Sequence, residues 1–342
     1  MKNIKKWLMR KAESLCIALE KNIMLNKSLK CKVVVGPTKS RRLGLVIGIN
    51  NIKPNICSYN CIYCPSGNKT CCSICTSNCI SPYELHASLR NKLANSGKLK
   101  DKIKYLVFTG SGEPALDTAL SKEILILREF GYKIAVFTNA SLIWNGHVRE
   151  NLIFADYVSI KIDTVNPETW LEINRPHKRL RYDLILDGIK QFSEMFKGNL
   201  STETMLIKNI NDNHEEIESL AKYLNKLKRD VSYFTIPVFP PQESSVRSPD
   251  TVNLGFLKQM INESIPHAIL LQFPGNEDYL AMDDFKHELL GLLAIHPIEA
   301  ETVKLSANKE IDKTKLKEMI DRKIIEEVDF QGKKYFKECV AS

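Results

Sequence analysis

Residues 57–64 read Cys57-Ser58-Tyr59-Asn60-Cys61-Ile62-Tyr63-Cys64, three thiols separated by three and then two residues. A cluster of four irons and four sulfides ordinarily takes one cysteine per iron, so a triad leaves one iron able to bind a small molecule. An open coordination position is what separates a reactive metal centre from a structural one. Taken alone, the run also suits a zinc knot or a ferredoxin-like fragment. The order of the spacing, with aromatic Tyr63 directly before the last cysteine, favours a catalytic iron–sulfur cluster on Cys57, Cys61 and Cys64.

Seven of the ten cysteines fall between Cys57 and Cys79, the crowding of a metal-binding set rather than of a disulfide framework. Cys71, Cys72, Cys75 and Cys79 form a second group, in which Cys72-x2-Cys75-x3-Cys79 reverses the first spacing. Adjacent cysteines diverge and rarely serve one ion. Cys72, Cys75 and Cys79, with a distant partner such as Cys31 or Cys16, are therefore the expected ligands of a second centre. That centre is either an iron–sulfur cluster that relays electrons or anchors substrate, or a zinc ion that staples a polar loop. Cys339 reads as an isolated residue near a strand end.

With 342 residues, 44% hydrophobic and 26% charged, the chain can bury a full core and divides into one large and one small domain. No apolar stretch approaches membrane-spanning length, and Met1 to Arg10 interleave lysines with apolar residues without a signal core, so a cytoplasmic protein with no membrane partner is expected. The net charge of +9 is unevenly placed. Residues 1–42 carry twelve Lys or Arg against two Glu, residues 43–283 balance at 26 of each sign, and residues 284–342 carry 11 against 12. Ile4, Trp7, Leu8, Ala12, Leu15 and Leu19 recur at helical spacing among those lysines, which predicts an amphipathic helix with one basic face. Such a face is either a solvated cap or an electrostatic footprint for an anionic partner such as RNA.

Farther along, short apolar runs alternate with helical patterns, the signature of strand–helix units around a parallel sheet. Strands are expected at Leu43–Ile49, Tyr105–Thr109, Ile134–Thr138, Tyr157–Ile162, Thr202–Ile207 and Tyr233–Val238. Helices are expected at Pro82–Asn95, Thr118–Glu129, Leu184–Phe196 and Glu215–Lys228, with Ser81 capping the first and Pro82 at its first position. Right-handed crossovers curl such a sheet into a full or partial barrel, an α/β fold that places its chemistry at the C-terminal ends of the strands. Past Asp284 the pattern becomes three helices, Phe285–Ala294, Glu299–Leu305 and Asp312–Lys323 capped by Asp312. A hairpin of Ile325–Phe330 and Lys334–Lys337 follows, and together they predict a small winged-helix domain at 284–342. Its net charge of −1 favours contact with protein, or cover for a pocket, over DNA binding.

The pattern C-x3-C-x2-C with Tyr63 resembles the radical S-adenosylmethionine (radical SAM) superfamily. The resemblance implies a partial (β/α)6 TIM-like barrel at 43–283, open on one side for a large substrate, behind a basic segment at 1–42. It implies a 4Fe-4S cluster whose unique iron chelates the amino and carboxylate groups of S-adenosylmethionine, with Tyr63 near the adenine. An electron from a reductant such as flavodoxin or ferredoxin would then split the sulfonium into methionine and a 5'-deoxyadenosyl radical, which abstracts hydrogen from substrate. The cofactors carry that chemistry, while the protein binds, orients and excludes water.

Gly110-Ser111-Gly112-Glu113-Pro114 is similar to the family's Gly-Gly-Glu-Pro motif. There Gly112 lets backbone approach a ligand, and Glu113 or a nearby carbonyl accepts from the S-adenosylmethionine ammonium. An isolated motif of this kind is otherwise a plain strand-to-helix turn. Thr138-Asn139-Ala140-Ser141 stands where many relatives have Thr-Asn-Gly, so Asn139 either touches the cofactor or makes a turn bond. In the strand Val158–Asp163, Ser159, Lys161 and Asp163 share one face. An interior lysine is costly without a carboxylate, and the resemblance lets Ser159 and Lys161 reach the cofactor or an acidic substrate. Thr204 is the candidate ribose contact, with Glu203 facing the helices in an ion pair. Arg175, in Asn174-Arg175-Pro176-His177, either touches substrate or staples a loop to the barrel.

Gly36-Pro37-Thr38-Lys39-Ser40-Arg41-Arg42-Leu43-Gly44, Gly48-Ile49-Asn50, the triad, Thr138-Asn139-Ala140-Ser141 and Thr204-Met205-Leu206 resemble, within the superfamily, proteins similar to the tRNA wyosine-base-forming (4-demethylwyosine synthase-like) enzymes. Those hold extra cysteines upstream of the triad, whereas here the extra cysteines lie mainly downstream. Three functions follow: a radical SAM enzyme acting on tRNA or another anionic macromolecule, one acting on a peptide or protein, and a non-catalytic iron–sulfur electron carrier or sensor.

Overall fold

A computed structural model describes residues 33–53, 55–67, 71–272, 285–307 and 309–339. The expected amphipathic helix, Cys16 and Cys31 lie outside them.

One sheet organises residues 34–271. Its strands are β1 (Val34–Ser40), β2 (Gly44–Ile49), and, after the two-residue strands β3 (Ile56–Cys57) and β4 (Cys71–Cys72), β5 (Tyr105–Phe108), β6 (Lys133–Thr138), β7 (Tyr157–Lys161), β8 (Asn199–Met205), β9 (Val231–Thr235) and β10 (Ala268–Leu271). The eight run in the order β1-β2-β5-β6-β7-β8-β9-β10. All neighbours pair in parallel except β1 with β2. Alternation explains both faces. Ile47, Ile49, Leu106, Phe108, Ile134, Val136, Val158 and Ile160 pack beneath the helices in the main core, while Leu43, Val46, Val107, Ala135, Tyr157, Tyr105 and Phe137 form a smaller cluster on the other face. A parallel sheet apolar on both faces is buried on both.

All six expected strands are present, and β1 and β10 extend the sheet at its two edges. The apolar run of β1 is interrupted by Gly36-Pro37, which argues against a strand when read in sequence, and its pairing slips between Val35 and Thr38. The sheet therefore begins ahead of the boundary at residue 43. Four-residue β10 is an edge whose side chains are half-buried or exposed, so it lacks alternation. The helix Pro82–Asn95 has proline at its start, but Ser81 supplies no side-chain capping bond.

Residues 285–339 form the helix Phe285–Leu293, β11 (Ile298–Glu299), the helices Ala300–Ser306 and Glu310–Asp321, and the hairpin β12 (Ile325–Phe330) with β13 (Lys333–Glu338), in a sheet of order β11-β13-β12. The third helix starts two residues earlier than expected, with Lys309 at its cap position and Asp312 buried in its first turn. Phe285, Leu289, Ile298, Val303, Leu316, Met319, Ile325 and Phe336 share a core with Val35 of β1. Among the described residues no helix is long and apolar enough to cross a membrane.

Candidate active site

Because β2 and β5 to β9 run parallel, the segments that follow them emerge at one edge of the sheet, and the cysteine loop is gripped there by backbone. The Cys64 N–H donates to the Cys61 carbonyl (3.0 Å), Asn60 to Asn174 (3.0 Å), Ile62 to Ile173 (2.9 Å), His177 to Ser58 (2.9 Å), Ser73 to Cys57 (2.9 Å) and Glu243 to Ile62 (3.0 Å). Asn174-Arg175-Pro176-His177 is thus the staple that holds the triad loop. Arg175 itself turns outward, paired with Glu243 at 2.6 Å, both partly exposed. The structure does not bring Arg175 into the site as a catalytic group; its left-handed backbone, φ 41°, ends a helix and redirects the chain.

Cys57 is buried, and Cys61 and Cys64 are half-buried. Asn139 Nδ2 donates to Cys57 Sγ at 3.4 Å and to Ser58 Oγ at 3.0 Å. Asn174 Nδ2 donates to Cys61 Sγ at 3.4 Å and to Asp163 Oδ2 at 2.7 Å. Burial, with the charges of Asp163 and Cys64 nearby, pushes the Cys61 thiol up to about 12. Such a thiol stays protonated until a metal takes it, because coordination deprotonates a thiol outright. A set of soft sulfurs buried or half-buried, two of them facing amide donors, fits a cluster. Among the described residues no three His, Cys, Asp or Glu side chains converge as ligands of a single ion do, in the triad or in the second group. Cys72 and Cys75 are exposed and Cys79 is half-buried; Cys72 Sγ lies 3.5 Å from the Ser58 carbonyl and Cys79 Sγ 3.4 Å from Ser77 Oγ. The structure does not bring Cys72, Cys75 and Cys79 together around one ion.

The turn 110–114 packs directly on this loop. A Cβ at Gly112 would lie 2.1 Å from the Ile56 carbonyl oxygen, and the Glu113 N–H donates to that same oxygen at 3.2 Å. The close approach that requires glycine is made to the cysteine-bearing backbone. Buried Glu113 accepts from Thr138 Oγ1 (2.5 Å), the Asn139 N–H (2.7 Å) and the Ala115 N–H (3.0 Å). Burial raises its pKa, against those three donors. It clamps turn 110–114 to turn 138–141, where Asn139 Oδ1 also accepts from the Ser141 N–H at 2.9 Å. Asn139 therefore makes both its turn bond and a contact to the triad.

Ser159, Lys161 and Asp163 do share a face, and it is charged. Lys161 Nζ lies 2.8 Å from Glu203 Oε1 and 3.9 Å from Asp163 Oδ1, and 4.8 Å from the centre of the Tyr63 ring. Burial alone would lower the Lys161 pKa, but Glu203 and Asp163 hold it above its ordinary value. Tyr63 donates to Asp163 Oδ2 at 2.6 Å. Arg42 reaches the same face, 2.6 Å from Glu203 Oε2 and 3.1 Å from Ser159 Oγ, with its guanidinium over Phe137 and Tyr233. Two assignments are corrected here. Glu203 is the carboxylate that compensates Lys161, because the parallel register sets Lys161 opposite Glu203. Thr204 falls on the helix-covered face, fully buried, where it donates to the Ile162 carbonyl at 2.6 Å. Sequence reading passed over Arg42, Asp163 and Asn174 as site members; all three lie outside the strands, and only side-chain contacts in the folded chain bring them to the site.

A family model described as the Radical SAM superfamily matches residues 51–224. The chain is similar to the UPF0026 protein MJ1312 of Methanocaldococcus jannaschii, 35% identical over 91% of this chain and 97% of that protein. In fold it is similar to a radical SAM methyltransferase from Sphaerobacter thermophilus, with a TM-score of 0.54 at 16% identity over 66% of each chain. It is also similar to TYW1 with a lysine-pyruvate adduct bound, with a TM-score of 0.50 at 18% identity over 64% of this chain and 74% of that one.

Proposed function

Because the chain belongs to the radical SAM superfamily and to the UPF0026 family, we propose that Cys57, Cys61 and Cys64 are the residues that hold its 4Fe-4S cluster. Radical SAM proteins bind such a cluster and S-adenosylmethionine, and together these supply a carbon-centred radical by one-electron cleavage of the sulfonium. The observation that carries the assignment is the grip on the triad loop: backbone bonds from Ile173, Asn174, Glu113 and Glu243 fix it, and amide N–H groups point at two of its sulfurs. Turn 110–114, clamped by Glu113, forms one wall of the S-adenosylmethionine site, and Asn139 and Tyr63 line it. Lys161, already neutralised by Glu203, orients Asp163 and Tyr63 beneath that site, with Ser159 holding Arg42 behind it.

The substrate is tRNA or another anionic macromolecule. The support is the charge of residues 1–42, twelve basic against two acidic, beside a body that balances, since phosphate neutralisation dominates nucleic-acid affinity. Residues 285–339 form a winged-helix cover beside the mouth, where Ser66 Oγ donates to the Ile295 carbonyl at 3.1 Å, two residues past the triad.

Reconstituted anaerobically and reduced, the protein is expected to convert S-adenosylmethionine to methionine and 5'-deoxyadenosine. Cys57→Ala, Cys61→Ala and Cys64→Ala should each abolish that activity. Given deuterated cell RNA or deuterated cell protein, it should draw deuterium into 5'-deoxyadenosine from RNA. A full cluster that never yields 5'-deoxyadenosine overturns the enzymatic assignment, and label arriving from protein overturns the substrate class.

A further inference from the structure

We infer that Asn139 and Asn174 set the reduction potential of the cluster by donating amide N–H bonds to the sulfurs of Cys57 and Cys61. The inference rests on the triad holding the cluster, and it assigns these two side chains a role in electron transfer, in addition to the place of Asn139 in the lining of the S-adenosylmethionine site.

The geometry leaves little freedom in either amide. Asn139 Oδ1 accepts from the Ser141 N–H at 2.9 Å. Its NH2 group must then point the other way, toward Cys57 Sγ at 3.4 Å and Ser58 Oγ at 3.0 Å, with one N–H for each. At Asn174 the amide nitrogen lies 2.7 Å from Asp163 Oδ2 and 3.4 Å from Cys61 Sγ, one N–H for the oxygen and one for the sulfur. The amide orientation usually left ambiguous by heavy-atom positions is decided at Asn139 by its backbone partner. Asp163 is itself fixed, since the Met205 N–H donates to Oδ1 at 2.9 Å and Tyr63 donates to Oδ2 at 2.6 Å. Both asparagine side chains are therefore held before any cluster binds, and neither needs to reorganise when charge arrives.

Reduction adds one negative charge to the cluster and its thiolates. A fixed N–H dipole aimed at a thiolate sulfur stabilises the reduced state more than the oxidised one, which is how hydrogen bonds to the sulfurs shift such potentials. Losing either donor should make the cluster harder to reduce, and losing both should make it harder still. Asn139 and Asn174 act through the cysteines and are positioning residues.

The test is an EPR-monitored redox titration of reconstituted wild type, Asn139→Ala, Asn174→Ala and the double variant, with iron and sulfide counted per chain. At a fixed poise each single variant is expected to cut the ratio of reduced to oxidised cluster by about three- to tenfold, tenfold being about 59 mV for a one-electron couple. The double variant should move farther in the same direction. Full clusters with unchanged midpoints overturn the inference and leave the cluster assignment standing. Wild type that assembles no cubane overturns the cluster assignment instead. If a variant assembles no cluster, pulsed EPR of reduced wild type in deuterated buffer decides: exchangeable amide deuterons coupled to the cluster support the inference, and their absence overturns it.

Discussion

A methyl group at Gly112 would meet the Ile56 carbonyl oxygen at 2.1 Å. The position of a Cβ is set by the backbone and the oxygen is backbone, so no rotamer relieves the clash, and the segment carrying Cys57 has to move. Gly112→Ala is expected to cost about 1–3 kcal/mol, the usual penalty of overpacking a fitted site, and to lower the iron retained per chain. Gly255 makes the control. It lies within the helix Thr251–Ser264 with open space around the position of a Cβ, so Gly255→Ala should be neutral or stabilise by up to about 1 kcal/mol, as alanine does in a helix interior. Thermal unfolding with iron analysis of both variants checks the pair, and equal iron retention by both would remove Gly112 from the support of the cysteine loop. The glycine was legible in sequence as a place of close approach. What approaches it was not, because a strand-to-helix turn carries no mark of whether ligand or chain fills the space.

The helix Leu120–Leu127 carries a titration that reaches the same turn. Buried Glu123 accepts from Asn51 Nδ2 at 2.9 Å, and Asn51 Nδ2 also lies 3.4 Å from the Pro114 carbonyl. The other oxygen of Glu123, Oε1, has no hydrogen-bond partner among the described residues. Burial, reinforced by the charge of Asp117, pushes the Glu123 carboxyl up to about 8. An acid whose folded pKa is raised stabilises the fold fully below its unfolded value and loses that contribution as pH climbs through the folded one. Wild type should therefore lose about 2–4 kcal/mol relative to Glu123→Gln between pH 5 and pH 8.5, and parallel stability curves in denaturant across that range would exclude the effect. At this scale the sequence was legible where a pattern repeats: the apolar runs of β5, β6 and β7 fell where expected. It failed where one residue of register decides. Glu203 and Thr204 are neighbours on β8 and point to opposite faces, and only the pairing of Lys161 with Glu203 shows which one meets the lysine. It failed also at β1, where Gly36-Pro37 breaks a run that pairing with β2 nonetheless completes.

Across the whole molecule, residues 285–339 are built onto the eight-stranded sheet rather than hung from it. Val35 of edge strand β1 lies in their core with Phe336 and Leu289. Tyr335 donates to the Val238 carbonyl at 3.0 Å and Gln331 Nε2 to the Pro237 carbonyl at 3.2 Å, gripping the chain just past β9, while Phe239 stacks on His296 with ring centres 4.5 Å apart. The change of pattern past Asp284 marked this unit in the sequence, but nothing there showed its attachment, since apolar Val35 reads the same whether it faces a barrel interior or a second core. A shared core implies shared unfolding, because separating the units exposes Val35 and Phe336 together. Fully buried Phe336→Ala should cost about 3–5 kcal/mol, as deleting a buried ring does. If the two units are one cooperative body, the loss should shift a single transition, seen alike in the far-ultraviolet signal of the whole chain and in the release of the protein's iron. Two separated transitions, with iron held through the first, would mean that the C-terminal unit melts alone and lends the cysteine loop no support.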